Sequence, residues 1–454
     1  MSPPAAARPG SAAPRIGRRA VLAGSLGAAA AGLGGCAGLT RRVSTTSRGS
    51  QDRLTFQTYG TDVEAAIYLE LAARFEREHR GVTVEVTTVP FREAATSIDA
   101  GLVSGTAPDV FRVDYPTMGV YASTGQLLAL DGAVDELAAD VSPAFMEAVS
   151  QGGSVYGVPQ HVDTSALLVR PDVLRDAGIT SIPDRIEDAW TWEEFGEVAA
   201  ALRDAAPAGN AAFAVNWQAF GAFRWLNFLF QAGGHVYDTG LESSTLETPE
   251  AVRALDFTRS FFTERLVPQT TSTKAATYPD ALFTSGTLAM VYAGNFLLPS
   301  FAETIGDRFT YAATYLPRGA RRASELGGNA LVATRTATNP ELAAEFLAFL
   351  GAPAQMRDFC AASVLLPTRE SLRDQDLDFA VSPDLMPVYT DQITTIEQRD
   401  VADVTTPTFA EVNLSLANEL EACFLEGRGT EETLRSLGEQ VDAAATLNRR
   451  DLAS

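Results

Sequence analysis

The sequence contains few residues of the kinds that bind structural metals or build disulfide frameworks. Among its 454 residues there are three cysteines and three histidines. His79, His161 and His235 lie far apart and show no ligand spacing such as HExxH, and no paired CxxC motif is present. We therefore expect neither a metal centre nor a cofactor.

Basic residues are also scarce relative to acidic ones. The chain has 35 basic and 57 acidic residues, a formal net charge of −22 at pH 7. Residues 1–35 contain four arginines and no acid, so the remainder has 31 basic and 57 acidic residues and a formal charge of −26. Such an acidic chain is not expected to bind nucleic acid, which is itself a polyanion.

The sequence lacks an apolar run long enough to cross a bilayer comfortably. Residues 20–35 are rich in glycine and alanine and fall short of the about 20 strongly apolar residues that a spanning helix needs. The four arginines before this run are typical of a secretory signal peptide. Arg18 and Arg19 resemble a twin-arginine signal, but Val21 stands where such a signal usually has an aromatic residue or leucine. Export by the twin-arginine pathway and export by the general pathway therefore both stay open.

A candidate lipid attachment site follows the apolar run. Leu33-Gly34-Gly35-Cys36 looks like a lipobox, in which small residues admit the signal peptidase and the cysteine thiol receives the lipid. The alternative is an ordinary cleaved signal beside an accidental cysteine. We predict a signal peptide over 1–35, lipid modification of Cys36 and a short polar tether over 36–52. The protein would then be anchored to the outer face of a bacterial membrane without spanning it.

The remaining chain of about 400 residues exceeds what one hydrophobic core normally serves, so we expect two domains. Residues 53–60 and 81–89 alternate apolar and polar side chains as strands do. Between them, residues 62–79 have near-helical apolar spacing with Asp62 as a plausible N-cap. A second helical stretch then leads to a short apolar strand over 107–115. This alternation predicts a parallel sheet.

Ligands of such sheets bind outside the carboxyl ends of the strands. The residues that directly follow the predicted strands are therefore candidates for ligand contact. They are Tyr59 and Asp62 after the first strand, Pro90 and Phe91 after the second, and Asp114 and Tyr115 after the third.

Several segments in a fixed order resemble the extracellular solute-binding proteins of ABC importers, in the sugar-binding cluster that includes maltose-binding protein. The segments are "FEREHRGVTVEV", "SGTAPDVFRVDYPTMGVYASTGQLLALD", "YGVPQHVDTSALLVRPDVLRDAGI", "WTWEEF", "FTSGTLAMVYAGNFLLPSF", "LPRGARRASELGGNALVATRTATNPELAAEFLAFL" and "LLPTRESL". The similarity covers essentially all of the chain after the tether.

The resemblance implies an α/β, two-lobed periplasmic-binding-protein-like fold with three interlobe crossings and a ligand cleft between the lobes. Lobe I would comprise residues 53–161 and 328–362, and lobe II residues 165–325 and 366–454. The implied function is capture of a sugar or oligosaccharide by lobe closure and its delivery to permease subunits. The protein would be a monomer and would catalyse no reaction.

The ligand contacts expected from the strand ends, from the resemblance and from sugar chemistry are Tyr59, Asp62, Asp114, Tyr115, Asp163, Trp217, Trp225, Asn295, Phe296, Gly328 and Asn329. Asp163 follows "GVPQHV", where the family changes lobe and a carboxylate can accept hydrogen bonds from hydroxyls. Trp217 and Trp225 offer faces on which sugar C–H groups can pack. Asn295 and Phe296 stand where relatives have a Gly-Trp element.

Each of these candidates has a structural alternative. Asp114 and Tyr115 could cap the next helix, and Asp163 could be a turn acceptor. The tryptophans could belong to the core, and the pair Gly327 and Gly328 could serve a tight crossing of the hinge.

Other residues have a structural interpretation or are left open. We expect His161 to be a packed hinge residue. Trp190 and Trp192 should be structural, because Thr191 and Glu194 form a capping-box pattern at a helix start. Arg369 could bind ligand or pair with Glu370 or Asp62, and Cys360 and Cys423 could form a disulfide or remain free.

Two competing functions remain open. Asp114 and Asp163 could be the paired carboxylates of an exported glycoside hydrolase, which would need to lie about 5–10 Å apart. The protein could instead bind a non-sugar solute such as a polyamine or a polyol phosphate. The net negative charge of the chain argues weakly against a phosphorylated ligand and does not argue against a cationic one.

We predict that Cys36→Ala releases the protein into the medium or leaves an unprocessed precursor, because the lipid-bearing thiol is lost. Membrane fractionation and the mass of the protein measure this. A variant that stays membrane-bound at its mature mass would show that the lipobox interpretation is wrong.

Overall fold

The computed structural model describes residues 52–373 and 375–453, the last six of them as backbone only. The predicted signal peptide, Cys36 and all but the last residue of the predicted tether lie outside the described residues. No helix in the described part combines the length and the apolar character needed to cross a membrane.

The described chain is a mixed α/β structure. Its strands are β1 (Arg53–Thr58), β2 (Thr83–Thr88), β3 (Val110–Asp114), β4 (Ser150–Gln151), β5 (Ser154–Val155), β6 (Gly157–Asp163), β7 (Ser165–Val169), β8 (Ala211–Ala214), β9 (Leu288–Gly294), β10 (Ala312–Thr314), β11 (Gly327–Ala333) and β12 (Leu366–Pro367).

Helices connect and cover these strands. They are α1 (Asp62–Glu78), α2 (Phe91–Ser104), α3 (Tyr115–Ser123), α4 (Asp135–Ala138), α5 (Pro143–Glu147), α6 (Pro171–Asp176), α7 (Trp192–Ala205), α8 (Leu226–Gln231), α9 (Pro249–Thr263), α10 (Asp280–Thr284), α11 (Leu298–Ile305), α12 (Pro340–Leu350), α13 (Pro353–Ser363), α14 (Glu370–Arg373), α15 (Met386–Ile393), α16 (Gln398–Val404), α17 (Phe409–Leu425) and α18 (Thr430–Ala453). Short 3₁₀ turns lie at Ile186–Asp188, Ala222–Trp225 and Asn295–Leu297.

The first sheet has the strand order β12-β6-β11-β3-β1-β2. Strand β1 runs parallel to both β2 and β3, which confirms the predicted strand–helix repeat. Strand β11 is antiparallel to its neighbours β3 and β6. One detail of the prediction is wrong: the N-cap of α1 is Thr61, because its hydroxyl and the Glu64 carboxylate form a capping box and leave Asp62 in the first turn.

The second sheet has the strand order β10-β7-β9-β8. Strand β9 is parallel to β8 and antiparallel to β7. Its seven residues are all buried, as expected for a strand that is covered on both faces. The two sheets form the two lobes.

The connections between the sheets are short. Thr164 alone separates β6 of the first sheet from β7 of the second. Residues 366 and 367, where the prediction lets lobe II resume, form β12, which pairs with β6 of the first sheet. The other lobe limits stay a prediction.

The C-terminal helices do not belong to the second lobe alone. Helix α16 packs against α5, and α17 packs against α3, both of which follow strands of the first sheet. Helix α17 also contacts α9 and the turn Ala222–Trp225 beside the second sheet. These helices therefore bridge the two lobes.

Thr191 and Glu194 form the predicted capping box at the start of α7, and the Trp192 ring stacks on Phe257. Cys360 and Cys423 are both buried and free, so they form no disulfide.

Gly328 makes the second crossing tight. Its φ angle is +107°, and a Cβ atom placed there would lie 2.5 Å from the His161 carbonyl oxygen. A side chain at this position therefore meets both an unfavourable backbone conformation and a backbone atom. The hinge-packing alternative accounts for this glycine, and no ligand contact is needed to explain it.

We predict that Gly328→Ala destabilises the protein by ~1–3 kcal/mol, since both the positive φ and the contact with His161 carry a cost. Denaturant unfolding measures this difference. Gly153→Ala is the matched control, because Gly153 also has a positive φ (+87°) but no atom lies within 4 Å of its Cβ position. Equal losses in the two variants would contradict the tight-crossing interpretation.

Candidate functional site

Three predicted residues meet at one edge of the first sheet. Tyr59 follows β1, Asp114 ends β3, and Asn329 lies opposite Asp114 in the β11–β3 register. The Tyr59 hydroxyl donates a hydrogen bond to the Asp114 carboxylate. The Asn329 amide donates to the Tyr59 hydroxyl at 2.8 Å and also to Asp114. Burial raises the pKa of Asp114, and these hydrogen bonds and Arg112 partly offset the rise.

Arg112, a residue that the sequence prediction missed, holds this group in place. It lies in β3 with 6% exposure and forms an ion pair with Glu64 at 2.8 Å. Its guanidinium also donates to the Tyr59 carbonyl oxygen at 2.6 Å and to the Asn329 side-chain oxygen at 2.9 Å. The available signal was an arginine in the middle of the apolar strand "VFRVD".

Asp163 ends β6 at the first crossing and lies opposite Gly327 of β11. Its carboxylate accepts no hydrogen bond from the residues that the structure describes. Burial raises its pKa to about 7; Arg224 opposes this shift, while Glu325 and Asp114 add to it. A Cβ atom on Gly327 would lie 2.3 Å from Asp163 Oδ2, so the glycine leaves room for this carboxylate.

Arg224 faces the same group from the second lobe and was also missed. It lies in the turn Ala222–Trp225, is 6% exposed, and packs over the rings of Phe223 at 4.8 Å and Tyr278 at 5.4 Å. Its Nε atom is 3.8 Å from Glu325 Oε1, beyond hydrogen-bond distance. Within the described chain this buried Nε has no hydrogen-bond partner.

The predicted residue Phe296 is half-buried beside Tyr278, with ring centroids 5.7 Å apart.

Glu325 is anchored by the second lobe. Its carboxylate accepts a hydrogen bond from the Ser165 hydroxyl at 2.6 Å, and that hydroxyl accepts one from Asn216 at 2.8 Å. Its backbone N–H donates to the Asn227 side-chain oxygen at 2.5 Å. Glu325 is 3% exposed, so its orientation is set before any ligand arrives.

The predictions for both tryptophans and for Tyr115 are wrong, because all three side chains lie in the core. Trp217 stacks with Phe424 at 5.3 Å, and Trp225 donates a hydrogen bond to Thr258 at 3.0 Å. Their exposures are 1% and 0%. Tyr115 is 0% exposed and donates to the His161 carbonyl oxygen at 2.9 Å.

The structure also removes Asn295 from the predicted ligand contacts. Its side-chain oxygen accepts from the Thr164 N–H at 3.1 Å, and its amide donates to the Val364 carbonyl at 2.7 Å. A fully buried side chain with both ends engaged in this way ties two chain segments at the hinge and is not accessible to a ligand. Asp62 is exposed in the first turn of α1, where an acid suits the helix dipole, and it joins none of the contacts described above.

His161 and Arg369 have structural roles. His161 is 1% exposed, and burial together with the nearby Arg112 holds its pKa well below the usual range, as expected of a packed hinge residue. Arg369 pairs with Asp140 at 3.0 Å and donates to the Gly351 carbonyl, so neither predicted partner was correct.

Within the described residues, no group of three or more histidines, cysteines or acids could hold a metal ion.

Comparisons with known proteins give a consistent result. The model of the family described as bacterial extracellular solute-binding protein matches residues 59–357. The maltodextrin-binding protein MdxE of Bacillus subtilis (strain 168) is 25% identical over 363 residues, which cover 78% of this chain and 81% of that protein. A maltooligosaccharide ABC transporter solute-binding lipoprotein of Streptococcus pneumoniae (strain ATCC BAA-255 / R6) is 22% identical over 298 residues, covering 64% of this chain and 66% of the relative.

Solved structures show the same two-lobed fold. The sugar-binding protein MalE from Xanthomonas citri superposes with a TM-score of 0.76 at 21% identity, covering 88% of this chain and 99% of that chain. The predicted fold class is confirmed.

We predict that Asp163 makes stability fall as the pH rises. Its pKa is about 7 in the folded protein against an ordinary 3.8, so between these values the folded state holds a proton that the unfolded chain releases. The free energy of unfolding therefore decreases from about pH 4 to about pH 7 through this group. Denaturant unfolding of the native protein and of Asp163→Asn across this range measures the difference. Parallel pH profiles would contradict it.

Proposed function

This chain belongs to the bacterial extracellular solute-binding proteins, and we propose that it captures a sugar or oligosaccharide as the substrate-binding component of an ABC transporter. One observation carries the proposal. Asp163 and Arg224 come from different lobes, and each has hydrogen-bonding capacity that no described residue uses. The B. subtilis and S. pneumoniae relatives are named for maltodextrin and maltooligosaccharide, which supports a sugar as the solute.

The chemistry of these groups suits sugar hydroxyls. A hydroxyl can donate to the Asp163 carboxylate and accept from the Arg224 guanidinium, and such charge-assisted bonds are about twice as strong as neutral ones. The rings of Tyr278 and Phe296 offer apolar faces for sugar C–H groups. These two rings take the place that the sequence analysis gave to the tryptophans.

Capture would proceed by closure of the two lobes. A ligand held by groups of both lobes favours the closed state through its differential affinity. A polar contact already joins α2 of the first lobe to the second lobe, where Arg92 donates to the Ala276 carbonyl. Contacts of this kind would help to hold the closed form that a permease recognises.

The proposal includes the membrane anchor and the permease. A lipid on Cys36 would hold the monomer at the outer face of the cell membrane, beside the permease subunits that receive the sugar. The lipobox at residues 33–36 supports this arrangement, and the S. pneumoniae relative is named a lipoprotein.

The competing functions fit the site less well. A glycoside hydrolase would use Asp114 and Asp163, but the Asp114 carboxylate is already held by Tyr59 and Asn329. A polyol phosphate would bring a third anion close to Asp163 and Glu325. We therefore propose that the sugar is bound and released without cleavage.

We predict that titration of the mature protein with mono- and oligosaccharides raises its melting temperature and makes it more compact, while the recovered sugar is intact. Asp163→Ala should lower the affinity ~5- to 150-fold, because closure then leaves sugar hydroxyls desolvated and unpaired. Calorimetry, small-angle scattering and chromatography of the sugar measure these effects.

Asp176→Ala is the control, since Asp176 is exposed at the end of α6 and should leave the affinity unchanged. Unchanged binding by Asp163→Ala together with a lower melting temperature would make Asp163 a turn or hinge residue. Cleaved sugar that accumulates with time would make the protein a hydrolase.

A further inference from the structure

The polar groups between the lobes carry more negative than positive charge. Asp114, Asp163 and Glu325 act on one another or on Arg224 electrostatically. Arg112 also attracts Asp114 and Asp163, but it pairs with a fourth acid, Glu64, at 2.8 Å, so it offsets only part of this excess. Four carboxylates therefore share two guanidinium groups in a largely buried region, where charges are weakly screened.

The groups between the lobes differ in how far the protein satisfies them. Asp114 accepts hydrogen bonds from Tyr59 and Asn329, and Glu325 accepts them from Ser165 and Ser324. The Asp163 carboxylate accepts none from the described chain. The Nε–H of Arg224, a side chain that is 6% exposed, likewise has no acceptor there. The site thus lacks a positively charged donor at Asp163 and an acceptor at Arg224.

We propose that the ligand is a sugar that carries a free amino group beside a hydroxyl, with the ammonium on Asp163 and the hydroxyl oxygen on Arg224. This inference rests on the proposed function and narrows its class of ligand. An ammonium has three donors and one positive charge, so it meets the hydrogen-bonding capacity of Asp163 and reduces the negative excess at once.

Neutral and acidic sugars would meet only part of the hydrogen-bonding and charge requirements of Asp163 and Arg224. A neutral sugar can donate to Asp163 but leaves the charge excess unchanged. An acidic sugar could pair with Arg224, but it would add a further negative charge beside Glu325, whose Oε1 lies 3.8 Å from that guanidinium.

The test uses matched triplets of gluco-configured disaccharides in several linkages. Each triplet presents a free amine, an N-acetyl group or a hydroxyl at the same ring position, so that its members differ only in the group proposed to meet Asp163. Calorimetry of the mature protein at pH 7 should show the amine member of at least one triplet binding about tenfold more tightly than its hydroxyl partner. Asp163→Asn should remove most of that preference, and Asp176→Asn should leave it unchanged.

The contrary outcomes separate this inference from the proposed function. If a hydroxyl or N-acetyl member binds as tightly as its amine partner in every triplet, the amino-sugar inference is overturned and sugar capture stands. If the amine preference survives Asp163→Asn, the assignment of Asp163 is overturned. Spermidine that binds as tightly as the best amino sugar, or a complete lack of sugar binding, would overturn both proposals.

Discussion

The buried ion pair between Arg112 and Glu64 is the interaction on which the first half of the site depends. Glu64 also accepts a hydrogen bond from the Thr61 N–H at 2.7 Å, so one carboxylate both caps α1 and neutralises the arginine. Arg112 in turn holds the Tyr59 carbonyl and Asn329. Removing one partner of such a pair leaves an uncompensated buried charge, which typically costs about 3–5 kcal/mol. The start of α1, β3 and the entry to β11 are therefore one coupled unit.

The two halves of the site differ in how far they are organised in advance. On the first lobe, Asp114 is held by neighbouring side chains and acts as part of a rigid wall. On the second lobe, Glu325 is fixed by Ser165, while the adjacent Arg224 keeps an unused donor. Preorganised groups lose little freedom on binding, and groups without a partner gain the most from a ligand. Asp114 and Glu325 therefore shape the site, whereas Arg224 is expected to contribute to the affinity by forming a new hydrogen bond with the ligand.

Features that depend on local sequence were predictable, and those that depend on distant contacts were not. Strand alternation, helix spacing and the capping box at α7 are local, and they appear in the structure as predicted. Trp217 was misassigned because its burial comes from Phe424, about 200 residues further along the chain. Asn295 was misassigned because its partners, Thr164 and Val364, lie on chain segments that only the fold brings together. Arg224 was overlooked among aromatic residues, since sequence alone does not show that its buried Nε–H lacks an acceptor in the described chain.

The position of β11 also determines the order in which the protein can fold. This strand fills the place between β3 and β6 in the first sheet, yet it is synthesised about 200 residues after β3, once most of the second lobe has been made. At about 5–20 residues per second, the edge of β3 stays unpaired for roughly 10–40 seconds on the ribosome. During that interval the first lobe lacks its central strand and cannot complete its core. The nascent chain is thus kept from reaching its final shape until synthesis is well advanced.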